Sequence, residues 1–295
     1  MTPLTFYTVD VFAEEKYAGN QLAVVKDAQA LSSADMQRLA KEVNYSETTF
    51  LTSEAPRDGG YDVRIFTPQA EVPFAGHPTL GTAYVIQREI IQASIEQVNL
   101  NLQIGQIPVT FTYCGDDVDI LWMQQNAPTF GHTFAPASIA AALGVDRSML
   151  DERFPMQEVS TGLPFIMVPL KTLAAVKQAA IVRDVYFELI RDTQAKSILI
   201  FCPETYDRDH HLNVRVFADY FGVPEDPATG SANGCLAGYL AHHRYFGSGQ
   251  VDVRAEQGYE IGRRSLLYLR AQDRGDDIKV SVGGKVVMIA RGEFV

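Results

Sequence analysis

A segment of this sequence occurs twice, once in each half of the chain, and it restricts the possible folds more than any other pattern. The first copy reads Asp62-Val-Arg-Ile-Phe66 and then Pro73-Phe-Ala-Gly-His77, and the second reads Asn213-Val-Arg-Val-Phe217 and then Pro224-Glu-Asp-Pro-Ala-Thr-Gly-Ser231. The second copy carries three extra residues, Glu225-Asp226-Pro227. A repeat this long exceeds the ~20–50 residues of a solenoid unit and predicts two similar domains about a pseudo-twofold axis. The seam between such domains is the default location of a ligand.

Both copies continue into apolar stretches without fixed charge. From Val72 to Ile86 only His77 could carry a charge, and the stretch from Pro227 to Ala241 carries none. A surface helix alternates polar and apolar faces, so a helix here, at about residues 77–87 in the first copy, is predicted to be buried on nearly all sides. The sequence therefore predicts an α+β fold in which each domain wraps a sheet around one central helix.

The stretch Gln125-Asn-Ala-Pro-Thr-Phe-Gly-His132, followed by Pro136, is the strongest linker signal in the chain. It predicts a first domain of residues 1–127 and a second domain of residues 128–283. Another local signal lies at Ser32, which has the spacing of an N-cap with an acid, Asp35, at the third helical position. That helix is predicted to end near Asn44.

Composition argues against several classes of partner. Lys and Arg total 25 against 36 Asp and Glu, and no basic stripe is present, so nucleic acid and anionic membranes are not expected as partners. No apolar run approaches the ~20 residues of a membrane span. The N-terminus reads as a strand instead of a signal peptide, and the three cysteines form no paired motif and suit reduced thiols. We predict a soluble, cytoplasmic protein.

In each copy a glycine and a polar residue, Gly76-His77 and Gly230-Ser231, stand where the buried helix is predicted to begin. The first N–H groups of a helix, with the positive end of its dipole, form an anion site. Two such starts could hold one carboxylate and stabilise charge that develops beside it. In the alternative interpretation the glycines serve close backbone packing and Ser231 is only an N-cap.

Three further side chains are candidates for chemistry. Glu47 lies beside or within a predicted strand among hydroxyl and aromatic residues, so it is either a partly desolvated general base or a solvent-facing strand residue. His77 is either catalytic or a satisfied core histidine. Asp226, in the insertion, either supplies an acid that the first copy lacks or caps the loop before the helix.

The sequence contains no convincing metal or nucleotide motif. His210-His211 and His242-His243 lack the spacing of a zinc site, and neither a G-x-G-x-x-G pattern nor a phosphate-binding loop occurs. We therefore predict that the protein uses no metal and no cofactor.

Taken together, these motifs resemble the PhzF-like family of phenazine-biosynthesis isomerases, which shares the diaminopimelate-epimerase-like fold. The matching stretches, which span nearly the whole chain, are Val9 to Phe12 with Gly19-Asn20, Asn44 to Phe50, Phe66 to Thr79, Glu225 to Gly234, and Gln257 to Arg263. The resemblance implies two domains with a barrel-like sheet around each central helix, a site in the cleft, and a homodimer. It also implies that residues 284–295 return to the first domain.

The resemblance also implies roles for individual residues. Glu47 matches the family's general base, which takes a proton from carbon, whereas His77, Asp226 and Ser231 match residues that position the substrate and assist proton return. The predicted substrate-binding residues are Asn20, Gly76, Thr229 and Gly230. Related racemases use two cysteine thiols, one at each helix start. Ala75 and Thr229 stand at the aligned places here, which disfavours a two-thiol racemase.

The resulting hypothesis is a cofactor-independent isomerase that moves a proton on a small carboxylate-bearing metabolite by general acid/base catalysis. Two alternatives stay open from the sequence. One is an amino-acid epimerase that uses carboxylates instead of thiols. The other is a non-catalytic relative that binds a small ligand.

Overall fold

The computed structural model describes residues 3–53, 55–275 and 277–295. The chain divides into two compact units: the first contains Met1–Met123 and Gly283–Val295, and the second contains Gln124–Val282. Along the described residues, no helix is long and apolar enough to cross a membrane.

Strands dominate both units. In chain order they are β1 (Leu4–Val11), β2 (Asn20–Val25), β3 (Glu47–Leu51), β4 (Tyr61–Phe66), β5 (Glu71–Val72), β6 (Gln97–Leu102), β7 (Gly105–Cys114), β8 (Asp117–Gln125), β9 (Thr129–Phe134), β10 (Met156–Ser160), β11 (Pro164–Pro169), β12 (Ser197–Cys202), β13 (Leu212–Ala218), β14 (Val223–Asp226), β15 (Gln250–Gln257), β16 (Ser265–Asp273), β17 (Ile278–Gly284) and β18 (Val286–Phe294). The α-helices are α1 (Ser33–Val43), α2 (Gly76–Val85), α3 (Pro136–Leu143), α4 (Leu173–Gln178), α5 (Arg183–Leu189) and α6 (Gly230–His242). The chain thus has a mixed α+β fold.

The order of strand pairings is the same in the two units. In the first unit, β2 pairs antiparallel with β1 and parallel with β3, and β4 pairs antiparallel with β3 and β5 and parallel with β6. In the second unit, β11 pairs antiparallel with β10 and parallel with β12, and β13 pairs antiparallel with β12 and β14 and parallel with β15. The duplicated sequence segment corresponds to β4–α2 in one unit and β13–α6 in the other.

The two units differ in which part of the chain provides the strand that pairs with β1 or with β10. In the second unit β9, which precedes β10 in the chain, pairs antiparallel with β10. In the first unit the place beside β1 is taken by the last strand, β18, with Leu4 opposite Phe294. The first unit therefore needs both ends of the chain.

Each unit is built around a helix that its strands bury. Every residue of α2 is buried, and the helix packs on β1, β2, β3, β6 and β7. In α6 all residues except Ser231 and His242 are buried, and the helix packs on β10, β11, β15 and β16. The prediction of two buried helices is confirmed. Gly81 shows how closely α2 is held, because a Cβ there would lie 2.6 Å from Leu22 Cδ2.

The same kind of ion pair joins the two strands of the hairpin that precedes each buried helix. The guanidinium of Arg64 in β4 makes a two-point contact with Glu71 in β5, at 2.8 and 2.7 Å, and the same contact joins Arg215 in β13 to Glu225 in β14, at 3.0 and 2.7 Å. Bidentate pairing of this kind fixes orientation as well as distance. We call the two contacts the first and second clamp.

The predicted linker is mostly strand. β8 runs to Gln125 and β9 begins at Thr129, so residues 126–128 alone lie outside strands there. The glycine and the proline that suggested a linker have other roles. A Cβ at Gly131 would lie 3.0 Å from Glu158 Oε2, and Pro136 is the first residue of α3. Both residues serve close packing or helix initiation instead of a flexible connection.

The helix predicted after Ser32 is confirmed. The Ser32 hydroxyl accepts a hydrogen bond from the Asp35 backbone N–H, and Asn44 ends the helix in the left-handed conformation with φ of 56°. Side-chain capping at the start and a left-handed residue at the end satisfy backbone groups that a helix leaves unpaired.

Candidate active site

The first group of predicted site residues lies where β3 and α2 begin. Glu47 is the first residue of β3 and pairs in register with Leu22 of β2, and His77 is the second residue of α2. Glu47 Oε2 lies 3.3 Å from His77 Nε2, with 19% and 7% of the two side chains exposed. The strand and the helix are joined nearby by a buried hydrogen bond between the Thr49 and Thr82 hydroxyls, 2.8 Å long. The fold therefore brings the predicted base and the predicted histidine into contact.

Burial controls the charge of His77. It lowers the pKa of the imidazole from 6.5 to about 3, although a hydrogen bond to the backbone of Gln21 acts in the opposite direction. Desolvation penalises the charged imidazolium more than one backbone bond stabilises it. His77 is thus a neutral imidazole at ordinary pH. A neutral imidazole in contact with a carboxyl group can exchange a hydrogen bond with it and hold it in one orientation.

The second group of predicted site residues lies between β14 and α6. Asp226 is the last residue of β14, and the hydroxyl of Thr229 donates a hydrogen bond to Asp226 Oδ2. Gly230 and Ser231 are the first two residues of α6. The structure therefore joins Asp226 to Thr229 directly, and it places Ser231 one residue inside the helix instead of at the capping position.

Both buried helices begin without a side-chain cap from their N-cap residue. In the part of the chain that the structure describes, neither Ala75 before α2 nor Thr229 before α6 accepts a hydrogen bond from its own helix through a side chain. The first N–H groups of a helix carry partial positive charge and attract anions.

Asn20, the first residue of β2, is buried and adjoins Gln21, whose backbone contacts His77.

The cysteines lie away from the helix starts. Cys235 is buried within α6, where its thiol lies 3.5 Å from the Thr161 hydroxyl, and burial raises its pKa to about 11. Burial likewise raises the pKa of Cys202 to about 12, whereas Cys114 is exposed. A thiol acts as a base or nucleophile only as the thiolate, so neither buried cysteine suits proton transfer from carbon.

Two buried amides support the second group. Gln257, at the end of β15, and Asn233, in α6, both contact Thr229 through hydrogen bonds. Both residues lie within the matching stretches of the sequence, and no role is predicted for either. The repeat carries a signal that could have indicated one, because the aligned helix-start position changes from Ala75 to Thr229 and thereby gains a hydroxyl that needs partners.

Comparison with known proteins gives matches over nearly the whole chain. The family model described as "Phenazine biosynthesis-like protein" matches residues 9–292. The trans-2,3-dihydro-3-hydroxyanthranilate isomerase of Pseudomonas aeruginosa is 36% identical over 97% of this chain and 98% of its own length. An uncharacterized isomerase of Clostridium acetobutylicum is 32% identical over 98% of this chain and 97% of its own.

Solved structures extend the comparison to the fold. A phenazine biosynthesis protein of the PhzF family from Bacillus anthracis has a TM-score of 0.91 at 26% identity, with 100% of both chains covered. A probable proline racemase from Agrobacterium radiobacter has a TM-score of 0.64 at 11% identity, covering 99% of this chain and 93% of its own. The latter similarity concerns the fold alone.

Proposed function

Because the chain belongs to the phenazine biosynthesis-like (PhzC-PhzF) family of isomerases, we propose that it shifts a proton between carbon atoms of a small carboxylate-bearing metabolite without a cofactor. The observation that carries this proposal is the contact between Glu47 and His77, 3.3 Å apart at the start of the buried helix α2. A carboxylate beside a neutral imidazole is suited to remove a proton and to give it back.

In the proposed reaction the Glu47 carboxylate takes a proton from a carbon adjacent to the conjugated part of the substrate. The electron pair of the broken C–H bond moves into the conjugated system, and negative charge develops on its oxygen atoms. The proton then returns to a different carbon, so that one double bond has moved and no net proton is gained or lost. His77 holds the carboxyl group of Glu47 and assists the return.

The remaining predicted residues are assigned to binding and charge stabilisation. Backbone N–H groups at Gly76 and Gly230 hold the substrate carboxylate or the charge that develops beside it, as helix starts do for anions. Asp226 and Ser231 orient the substrate and assist proton return, and Asn20 and Thr229 complete the binding groups.

The thiol positions make a two-thiol racemase a poor alternative. Ala75 and Thr229 stand where such an enzyme would carry cysteines, and the Cys235 thiol is buried inside α6 with a raised pKa. A single carboxylate base suits removal and return of a proton on one face better than inversion of a stereocentre.

Hydrogen exchange tests the proposal directly. The protein is incubated in deuterated water with trans-2,3-dihydro-3-hydroxyanthranilate, the compound in the name of the Pseudomonas aeruginosa relative, and with a panel of unsaturated cyclic acids. Proton NMR follows deuterium entry and movement of the double bond. Exchange with none of these acids would overturn the proposed reaction.

Variants test the residue assignment. Glu47→Gln keeps the shape of the side chain and removes the base, so we expect exchange to fall about 10²–10⁴-fold, the usual contribution of a general base. The control is Glu42→Gln, on the exposed part of α1, which should exchange at the normal rate. Equal rates in the two variants would contradict the role of Glu47.

A further inference from the structure

Gln257 is a fully buried amide whose hydrogen-bonding capacity is completely used. Its Oε1 accepts from the Thr229 backbone N–H at 3.2 Å and from Asn233 Nδ2 at 2.8 Å. Its Nε2 donates to the Asp226 carbonyl at 2.8 Å and to the Thr229 hydroxyl at 3.0 Å. An amide has two acceptor positions and two donor positions, so all four are filled.

These partners allow one orientation of the amide. If oxygen and nitrogen were exchanged, the NH₂ group would face two donors, the Thr229 N–H and Asn233 Nδ2, while the oxygen would face the Asp226 carbonyl. Asn233 cannot turn to suit that arrangement without losing its own hydrogen bond to the Thr229 carbonyl, 3.0 Å long. Mismatched donors and acceptors in a buried site are strongly unfavourable, so the orientation is fixed.

The fixed amide also fixes the direction of the Thr229 hydroxyl. A hydroxyl has one proton to donate. Because the Thr229 oxygen already accepts from Gln257 Nε2, its proton is directed to its other neighbour, Asp226 Oδ2. The result is a one-way chain of donors from Gln257 through Thr229 to the Asp226 carboxylate.

Among the described residues of the first unit, the corresponding places form no such chain. β4 and β6 pair through Asp62 and Asn101, and β13 and β15 pair through the corresponding Asn213 and Glu256. One residue further along, Leu102 therefore stands in the place of Gln257. Ala75 stands in the place of Thr229, so both members of the chain are apolar in the copy that lacks the inserted aspartate.

The backbone after β15 holds Gln257 close to the Asp226 loop. Gly258 has a left-handed φ of 76°, and a Cβ there would lie 2.6 Å from the Pro227 carbonyl oxygen. A larger residue would push the strand end away from the loop, which is the reason for glycine at this place. The amide is thus fixed both by its bonds and by the approach of the main chain.

We propose that Gln257 is a positioning residue for the reaction, which acts through the Thr229 hydroxyl to hold the Asp226 side chain as an oriented, ionised hydrogen-bond acceptor. This role rests on the proposed function in that Asp226 contacts the substrate. Donors directed at a carboxylate favour its charged form. Without them Asp226 gains a second rotameric choice and a greater affinity for protons.

Two variants break the chain and two keep it. Gln257→Met has a similar size and no donor for Thr229, and Thr229→Val removes the hydroxyl. Thr229→Ser keeps the hydroxyl, and Gln250→Met introduces the same change at the exposed start of the same strand. Unfolding midpoints of all four confirm that the compared proteins are folded.

The first measurement does not depend on activity. Titration of ¹³Cγ-labelled aspartate by NMR follows the Asp226 carboxyl group, whose signal is identified by its loss in Asp226→Asn. We expect the midpoint to rise by about one pH unit in Gln257→Met and Thr229→Val, the size expected from the loss of a hydrogen bond to a charged group. Thr229→Ser and Gln250→Met should titrate as the unmodified protein does.

The second measurement is hydrogen exchange with trans-2,3-dihydro-3-hydroxyanthranilate over a range of pH. We expect kcat to fall about tenfold to a hundredfold in the two chain-breaking variants, with a smaller change in KM and an acidic limb displaced to higher pH. Thr229→Ser, which keeps the hydroxyl, should have a higher kcat than Thr229→Val.

The outcomes separate this proposal from the proposed function. An unmoved NMR midpoint in both chain-breaking variants overturns the positioning role whether or not the protein exchanges hydrogen. A moved midpoint with unaltered kcat also overturns it. Absence of exchange in the unmodified protein overturns the proposed function instead, and the NMR titration still decides whether the donor chain controls Asp226.

Discussion

The second clamp, which precedes Asp226, allows a quantitative prediction about the stability of the second unit. Arg215 and Glu225 have only 10% and 9% of their side chains exposed, and the Arg215 Nη1 atom also donates to the carbonyls of Val176 and Ala179 at 2.8 and 2.7 Å. In Arg215→Leu the Glu225 carboxylate keeps its buried position and loses its partner, while two carbonyls lose a donor. Such a change is far more costly than loss of an exposed ion pair.

Breaking a buried pair from one side costs about 3–5 kcal/mol. In a unit of the size of Gln124–Val282, each kcal/mol lowers Tm by about 2–4 °C, so Arg215→Leu should lower Tm by roughly 6–20 °C. Thermal unfolding followed by circular dichroism measures this shift.

The first clamp supplies a matched control. Arg64 makes the same two-point contact with Glu71, but 29% and 23% of the two side chains are exposed. Water can solvate the Glu71 carboxylate that remains after Arg64→Leu, so the free energy of unfolding should fall by about 1 kcal/mol or less. Equal losses in the two variants would refute the reasoning, because burial is the difference that it invokes.

Three further predictions concern the thiols, a glycine and a histidine. Iodoacetamide at pH 8 should modify exposed Cys114 and spare Cys235, because burial raises the pKa of the Cys235 thiol to about 11. Peptide mass spectrometry locates the adduct. Full hydrogen exchange by the modified protein would exclude thiol catalysis at Cys114. Gly234→Ala should cost about 1–3 kcal/mol in urea unfolding, because its Cβ would lie 1.8 Å from a Gln125 side-chain oxygen. The pKa of His77 is about 3 when folded against 6.5 when unfolded, so the unfolded chain binds the extra proton and stability falls as pH drops below 6.5. His77→Asn should reduce that loss by about 1–2 kcal/mol between pH 7 and 5, and an unchanged pH dependence would contradict the burial argument.

Local patterns in the sequence predict those parts of the fold that depend on local physics. Ser32 and Asp35 identify the start of α1 because a helix cap is a contact between near neighbours. The lack of charge after Pro73 and Pro227 identifies α2 and α6 as buried, because no solvated face is available to either. The repeat itself anticipates that the strand pairings recur in both units.

Contacts between distant residues are harder to predict. Glu47 is predicted as a strand residue and His77 as a helix residue, and the packing of α2 on β2 and β3 brings them 3.3 Å apart. The role of Gln257 depends on the orientation of one amide, which no spacing rule encodes. The stretch 125–132 begins beside the boundary at Gln124, yet it is mostly strand, because Gly131 packs against a neighbouring strand instead of forming a turn.

The pairing of β1 with β18 has a consequence for the order in which the chain can fold during synthesis. Leu4 is made long before its partner Phe294, so one edge of β1 stays unpaired until β18 has been made. The strands and helices of the second unit precede β18 in the chain, and that unit can fold while the first still presents an open strand edge. An unpaired strand edge can pair with another chain, so aggregation is favoured in the interval before β18 is made.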